Sequence, residues 1–206
     1  MISTGSIERR AVLGAITAAI ATSVAGCLGG APTAENEDTD TNDQELDTDD
    51  EETDPADEPA AFPDDRKCAV CNMVAAEHPD WNAQLSHENG DRVVFCSSGC
   101  MAAYLADPPR FDGPDAAVTR VWVTAFDSGE LIDASEAQFV RVTDPDHVDD
   151  IMMRNPTPFA DRSEAEAFIE EFDAYDDGDL ITLEEFDREL GEFYRGDFFD
   201  GTDDNQ

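Results

Sequence analysis

Four cysteines spaced as two close pairs leave this chain few ways to fold. Cys68 and Cys71 form a C-x2-C pair, and Cys96 and Cys100 form a C-x3-C pair further on. The first pair falls in a turn-like segment. The second falls where a strand gives way to a helix N-terminus, whose positive end lowers a thiol pKa and favours the metal-binding thiolate. A knuckle, a hairpin and a helix start bring both pairs to one point, as in four-thiolate zinc modules. The spacing says less about which ion sits there.

The segments around the cysteines predict small elements. Asn82 to His87 and Arg92 to Cys96 flank Glu88-Asn89-Gly90-Asp91, and Asn-Gly between two such runs signals a hairpin. Ser97 and Ser98 offer caps for a helix through Met101, Tyr104 and Leu105 that Asp107-Pro108-Pro109 stops. A second half repeats the scheme: a strand from Val118 to Phe126, a turn at Asp127-Ser128-Gly129-Glu130, and a return from Ala137 to Val142. Asn155-Pro156-Thr157-Pro158 reads as a loop, and Ser163-Glu164-Ala165-Glu166 as a capping box. Ala165, Phe168, Ile169 and Phe172 then share one helix face, and Leu183, Phe186, Leu190 and Phe193 mark a last amphipathic stretch. The expected fold class is α+β, two small hairpin-plus-helix units over residues 62–112 and 113–200, with a tail at 201–206.

The first sixty residues read differently. Arg9-Arg10, a short apolar run and Val24-Ala25-Gly26-Cys27 have the form of an export signal. The run is too short and too rich in small residues for a transmembrane helix, which needs about 20 residues. The paired arginines favour the Tat route for folded proteins, and the tetrad resembles a lipobox that makes Cys27 the lipid-bearing residue of a membrane-anchored lipoprotein. Residues 34–58 hold 14 acidic side chains and no base, so the 28–61 segment is expected to be a disordered, self-repelling tether.

Composition sharpens this. With 50 acidic against 12 basic residues and a net charge of −38, the chain repels nucleic acid and anionic lipid surfaces. Hydrophobic residues still reach 40%, enough for a packed core. So acidic a surface over an ordinary core points to a halophilic setting, where molar salt screens self-repulsion within about 3 Å.

Methionines bear on the metal. Met73 follows Cys71 by two residues, Met101 adjoins Cys100, and Met152-Met153 form a third sulfur cluster. Thiolate plus thioether is a soft donor set suited to Cu(I), whereas zinc seldom uses Met. Met101 on its helix is as readily a core filler. An extracytoplasmic setting also permits two disulfides, or a redox pair at Cys96 and Cys100, in place of a metal.

These residues carry a family resemblance. Cys68-Ala-Val-Cys71-Asn-Met73, His78-Pro-Asp-Trp81, Ala83-Gln84 and Phe95-Cys96-Ser-Ser-Gly-Cys100-Met101 resemble the NosL family, copper-carrying lipoproteins encoded with nitrous-oxide reductase. Met152 or Met153, Pro158-Phe159-Ala160 and Ala165-Glu-Ala-Phe168 extend the likeness through about residue 188. The first stretch alone also resembles metal modules of the TRASH and YHS type. The NosL resemblance implies a non-enzymatic Cu(I) chaperone on the outer face of the cytoplasmic membrane, serving nitrous-oxide reductase and its maturation machinery. It implies Cys71, Met73 and a methionine at 152 or 153 as ligands. Cys96 and Cys100 depart from many relatives, which leaves room for a second ion, a structural Zn(II) or a disulfide. The alternatives in function are a thiol oxidoreductase acting on a partner's copper site and a zinc scaffold.

Of the histidines, His78 lies near the Cys71–Met73 turn and is a ligand candidate, while His87 and His147 read as surface residues. Asp173 to Glu184 imitates an EF-hand loop, but Tyr175 stands at a ligand position, so the run reads as an ordinary acidic loop.

Overall fold

The computed structural model describes residues 57–199; Cys27, the export signal and most of the acidic tether lie outside them. Among the described residues no helix is long and apolar enough to cross a membrane. The described residues form an α+β fold of two antiparallel sheets with three α-helices.

The predicted hairpin forms from β1 (Ala83–His87) and β2 (Arg92–Phe95), in register from Ala83 opposite Phe95 to Ser86 opposite Arg92. Its turn is closed by Asn89, whose Oδ1 accepts from Asp91 N at 3.0 Å. The next strand, β3 (Val118–Thr124), does not start a second unit. It pairs with the free edge of β1 and then with β4 (Leu131–Asp133), giving the order β2-β1-β3-β4. The expected boundary between residues 112 and 113 therefore cuts through one sheet. Residues 137–142 do not return to β3 either: β5 (Gln138–Arg141) centres a second sheet between β6 (Pro156–Phe159) and β7 (Leu180–Ile181). The predicted loop at Pro156–Pro158 is thus a strand. It is tolerated because β6 is an edge strand with β5 as its only neighbour, where the missing proline N–H groups are not needed for a ladder.

The tether ends sooner than expected. The Ala60 N–H donates to Gln84 Oε1 at 3.1 Å and its carbonyl accepts from Gln84 Nε2 at 2.7 Å, while Asp57 pairs with Arg120. These contacts explain how polar Gln84 is buried within β1, every residue of which is buried.

Helix α1 (Ser98–Ala106) starts at Ser97, whose Oγ accepts from Cys100 N, and stops before Pro108 and Pro109. Its residues from Ser98 to Tyr104 are buried on all sides, as for a helix enclosed by a core. Helix α3 (Arg188–Arg195) crosses it closely: a Cβ on Gly191 would stand 3.0 Å from Ala106 Cβ and 3.2 Å from Ala102 O, so a larger residue would push the helices apart. Helix α2 (Arg162–Glu171) buries Ala165, Phe168 and Ile169 as predicted. Its cap lies two residues earlier than the sequence suggested, with Asp161 N donating to Glu164 Oε2. In the last amphipathic stretch Phe186 and Leu190 are buried, but Tyr194 takes the inward place expected of Phe193, which is exposed.

Strand alternation on β5 divides the interior. Phe139 joins one core with Phe95, Tyr104, Phe186 and the cysteines; its neighbour Val140 joins another with Phe159, Phe168, Ile169 and Tyr175.

Candidate metal centre

The first cysteine pair sits on a tight knuckle. Cys68 N donates to Met73 O at 2.7 Å, Asn72 N donates back to Cys68 O at 3.0 Å, and Lys67 bridges Val74. The loop closes through Asn72 at φ 63°, a left-handed conformation that asparagine accepts better than most residues. Ala69 N donates to Val94 O at 3.1 Å, which ties the knuckle to the strand leading into Cys96. Cys96 directly follows that strand and Cys100 lies in the first turn of α1, so strand, cap and helix place the second pair opposite the first.

All four sulfurs lie within 4.8 Å of one another. Cys71 Sγ and Cys96 Sγ are 3.3 Å apart, and Cys96 Sγ is 3.7 Å from Cys100 Sγ. A tetrahedral ion with metal–sulfur bonds of about 2.3 Å needs sulfur–sulfur edges of about 3.8 Å, so the cluster matches that size with small adjustments. All four thiols are free; Cys68, Cys96 and Cys100 are buried and Cys71 is half-buried, the one that meets solvent. Among the described residues this is the one such grouping of potential ligands.

The thiols titrate as a group. Hydrogen bonding from Cys100 lowers Cys68 to about 7, against a weaker opposing effect of Cys71. For Cys71 the contact with Cys100 raises the pKa, but Cys68 and Cys96 outweigh it and the net direction is down. Cys100 is likewise lowered on balance, Cys68 raising it while Cys71 and Cys96 pull it down. Cys96 is raised, by Cys100 first and then by Cys68 and Cys71. In the metal-free cluster three thiols are thus drawn below the ordinary range and Cys96 is pushed above it. Cys96 and Cys100, the alternative redox pair, share their sulfurs with the cluster, in which the 3.3 Å approach of Cys96 to Cys71 is shorter than the 3.7 Å between Cys96 and Cys100.

The methionines divide. Met73 and Met152 are half-buried against the core that contains the cysteines, Met101 is fully buried within it as a filler, and Met153 is 63% exposed at φ 72°. The turn carrying Met152 is made by Asp150, whose Oδ1 accepts from Met152 N at 2.5 Å and whose carbonyl accepts from Met153 N at 2.9 Å. Asp150 is itself buried, its Oδ2 has no hydrogen-bond partner, and desolvation raises its pKa.

His78 is half-buried beside the knuckle loop, its carbonyl accepting from Trp81 N and Asn82 N. His87 is not a surface residue. It is fully buried, its Nδ1–H donating to Ala116 O at 2.9 Å and its Nε2 accepting from the Tyr104 hydroxyl at 2.8 Å. His147 is half-buried as well, stacked on Phe172 with Nδ1 2.7 Å from the Tyr175 hydroxyl. The EF-hand-like run does not gather its carboxylates into a grouping of potential ligands among the described residues, and its turn is capped within itself: Asp176 Oδ1 accepts from Gly178 N, and Asp179 Oδ2 from Asp176 N.

Sequence reasoning missed the polar wall behind Cys100. Arg195, at the end of α3, is buried and donates through Nε to Cys100 Sγ at 3.4 Å and through Nη2 to Ser97 Oγ at 3.1 Å and to Asn155 Oδ1. Asn155 Oδ1 also accepts from Gly99 N at 3.0 Å. A Cβ on Gly99 would fall 2.3 Å from Asn155 Oδ1 and 2.6 Å from Arg195 Nη2, so only glycine admits both groups. Glycine between two cysteines at a helix start was the available signal.

No curated protein matches the chain. The fold is similar to the crystal structure of the copper chaperone NosL from Shewanella denitrificans, with 23% identity and a TM-score of 0.51 over 66% of this chain and 99% of that one. The sequence model of the NosL family matches residues 59–190, more than half of the chain and the part that builds both sheets and the four-cysteine cluster; the chain belongs to the NosL family.

Proposed function

We propose that this protein is a Cu(I) carrier that works outside the cytoplasmic membrane, tethered through a lipid on Cys27, and loads nitrous-oxide reductase together with its maturation machinery. Copper is cargo here, not a resident cofactor, and the chain performs no catalysis. The observation that carries the reading is the cluster itself: four sulfurs within 4.8 Å, one of them on the half-buried Cys71. Soft thiolates bind Cu(I) strongly, and a ligand reachable from solvent lets an acceptor take the ion by stepwise exchange of sulfurs. Met73 and one methionine of the 152–153 turn supply thioethers that favour copper over zinc.

A second reading has its own support. Three buried thiols and a closed set of four ligands are also the donor set of structural zinc sites. In that case Zn(II) holds the knuckle to α1 and copper rides on the methionines.

One set of variants tests the reading. The Cys71→Ser protein is expected to lose Cu(I) transfer to apo nitrous-oxide reductase, and Cys27→Ser to release the chain from membranes with its metal content intact. Zinc that co-purifies, resists Cu(I) and unfolds the protein on removal assigns the cluster to scaffolding. Retained transfer by Cys71→Ser, with loss in a folded Cys96/Cys100 double variant, overturns the carrier reading in favour of the oxidoreductase.

A further inference from the structure

Arg195 is a buried cation with no carboxylate in direct contact. It is 4% exposed, and among the described residues no aspartate or glutamate forms an ion pair with it. A buried charge is costly unless its donors are used and its charge is met. All five guanidinium N–H groups have acceptors: Nε has Cys100 Sγ, Nη1 has Arg154 O at 3.2 Å and Tyr194 O at 2.8 Å, and Nη2 has Ser97 Oγ and Asn155 Oδ1. Four of these are neutral oxygens. The charge is met by the thiol cluster and, beyond contact distance, by the buried carboxylate of Asp150.

We propose that Arg195 is the positioning residue and counter-cation of the four-cysteine centre, holding Cys100 Sγ toward the metal through its Nε–H and offsetting the negative charge that the loaded centre retains. This rests on the reading that the four cysteines bind the metal. Four thiolates keep a charge of −2 around a divalent ion and −3 around a monovalent one, and three of the four thiols are buried where water cannot screen that charge. The guanidinium reduces the excess by one. Its fixed fork also holds Ser97, the cap residue between Cys96 and α1, and Asn155, which follows the methionine turn by two residues. One side chain therefore braces the helix start, the thiol and the strand after that turn. Arg195 lies past residue 190, where the family match ends.

The test uses the full chain, reduced and metal-free, titrated with Cd(II) and followed by the thiolate-to-metal charge-transfer band, with Cu(I) affinity measured against a chelator. Arg195→Met, which keeps the length and removes charge and donors, is expected to weaken both ions by roughly ten- to hundredfold, the range seen for outer partners of metal ligands. Loss of an N–H donor to sulfur raises the energy of the sulfur lone pairs, so the band moves to longer wavelength. Arg195→Lys restores the charge without the fork: it recovers part of the affinity and keeps the band shift, and it serves if the Met variant does not fold. A merely structural role would lower the unfolding temperature and leave the band in place. Folded variants with wild-type affinity and an unshifted band overturn the proposal. A wild-type chain that shows no cadmium–thiolate band overturns the four-cysteine reading and this inference with it.

Discussion

The two cores that meet along β5 are built from different chemistry. The one beyond Val140 is hydrocarbon and ring: Phe168 lies within 6.0 Å, centroid to centroid, of Phe126, Phe159, Phe172 and Tyr175. The one beyond Phe139 contains cysteines among its apolar residues, and around it Gln84, His87, Asn155 and Arg195 are buried as well. Each buried polar group there costs desolvation and needs a partner, so that region gives up stability that a plain apolar core would keep. Both cores stabilise the fold by apolar burial, and the polar one holds a charged site in place as well.

The largest break in that contrast comes from the aromatic side. Phe168→Ala should destabilise the protein by about 3–5 kcal/mol, since a ring removed from a close-packed cluster loses both transfer energy and contacts. Denaturant unfolding in high salt measures it, and the folded fraction should bind Cd(II) with wild-type affinity. A loss below about 1 kcal/mol would mean that the aromatic core is not where the stability lies.

The two cores were also unequally legible in the sequence. The apolar face of α2 and the meeting of four cysteines follow from local spacing, and both appear in the structure. The pairing of β3 with β1 does not, because an alternating strand advertises a buried face and not its neighbour. His87 looks like a turn-side surface residue because its partners, Tyr104 and Ala116, are 17 and 29 residues away. Arg195 is harder still. A basic residue in the last turn of a helix already has an ordinary explanation in the helix dipole, so nothing local marks it as bound to Cys100.

A smaller effect separates the cores by pH. Cys68, Cys71 and Cys100 have folded pKa values below the ordinary thiol range, Cys68 at about 7. A lowered folded pKa gives stability that is fully present above the unfolded value, near 8.5, and is lost as pH falls through the folded value. Cys96, raised, works in the opposite direction at higher pH. The metal-free protein should therefore gain stability between about pH 7 and 8.5, on the order of 2 kcal/mol from Cys68 alone, and lose part of it again above that range as Cys96 opposes. Unfolding at stepped pH values checks this. A Cys68→Ser/Cys71→Ser/Cys100→Ser protein, with the aromatic core unchanged, should lose the slope, and a slope that persists would assign it elsewhere.

The smallest expected effect distinguishes two adjacent methionines. Met152 is half-buried against the cysteine-bearing core, on a turn fixed by Asp150, while Met153 is 63% exposed and left-handed at φ 72°. A thioether that assists the cluster has to sit on a held backbone and face the core, which singles out Met152. Met152→Ala should weaken Cu(I) binding by roughly five- to tenfold, about 1 kcal/mol, and leave Zn(II) binding nearly unchanged, because the borderline ion gains little from a thioether. Met153→Ala should leave both affinities within about twofold, a free-energy change of about 0.4 kcal/mol. Met153→Gly should in addition raise stability slightly, since glycine adopts positive φ without the Cβ penalty of about 1 kcal/mol. Chelator competition on the three variants decides it. If Met153→Ala weakens Cu(I) and Met152→Ala does not, the copper ligand is the exposed methionine, and the turn presents it outward to the acceptor instead of inward to the thiols.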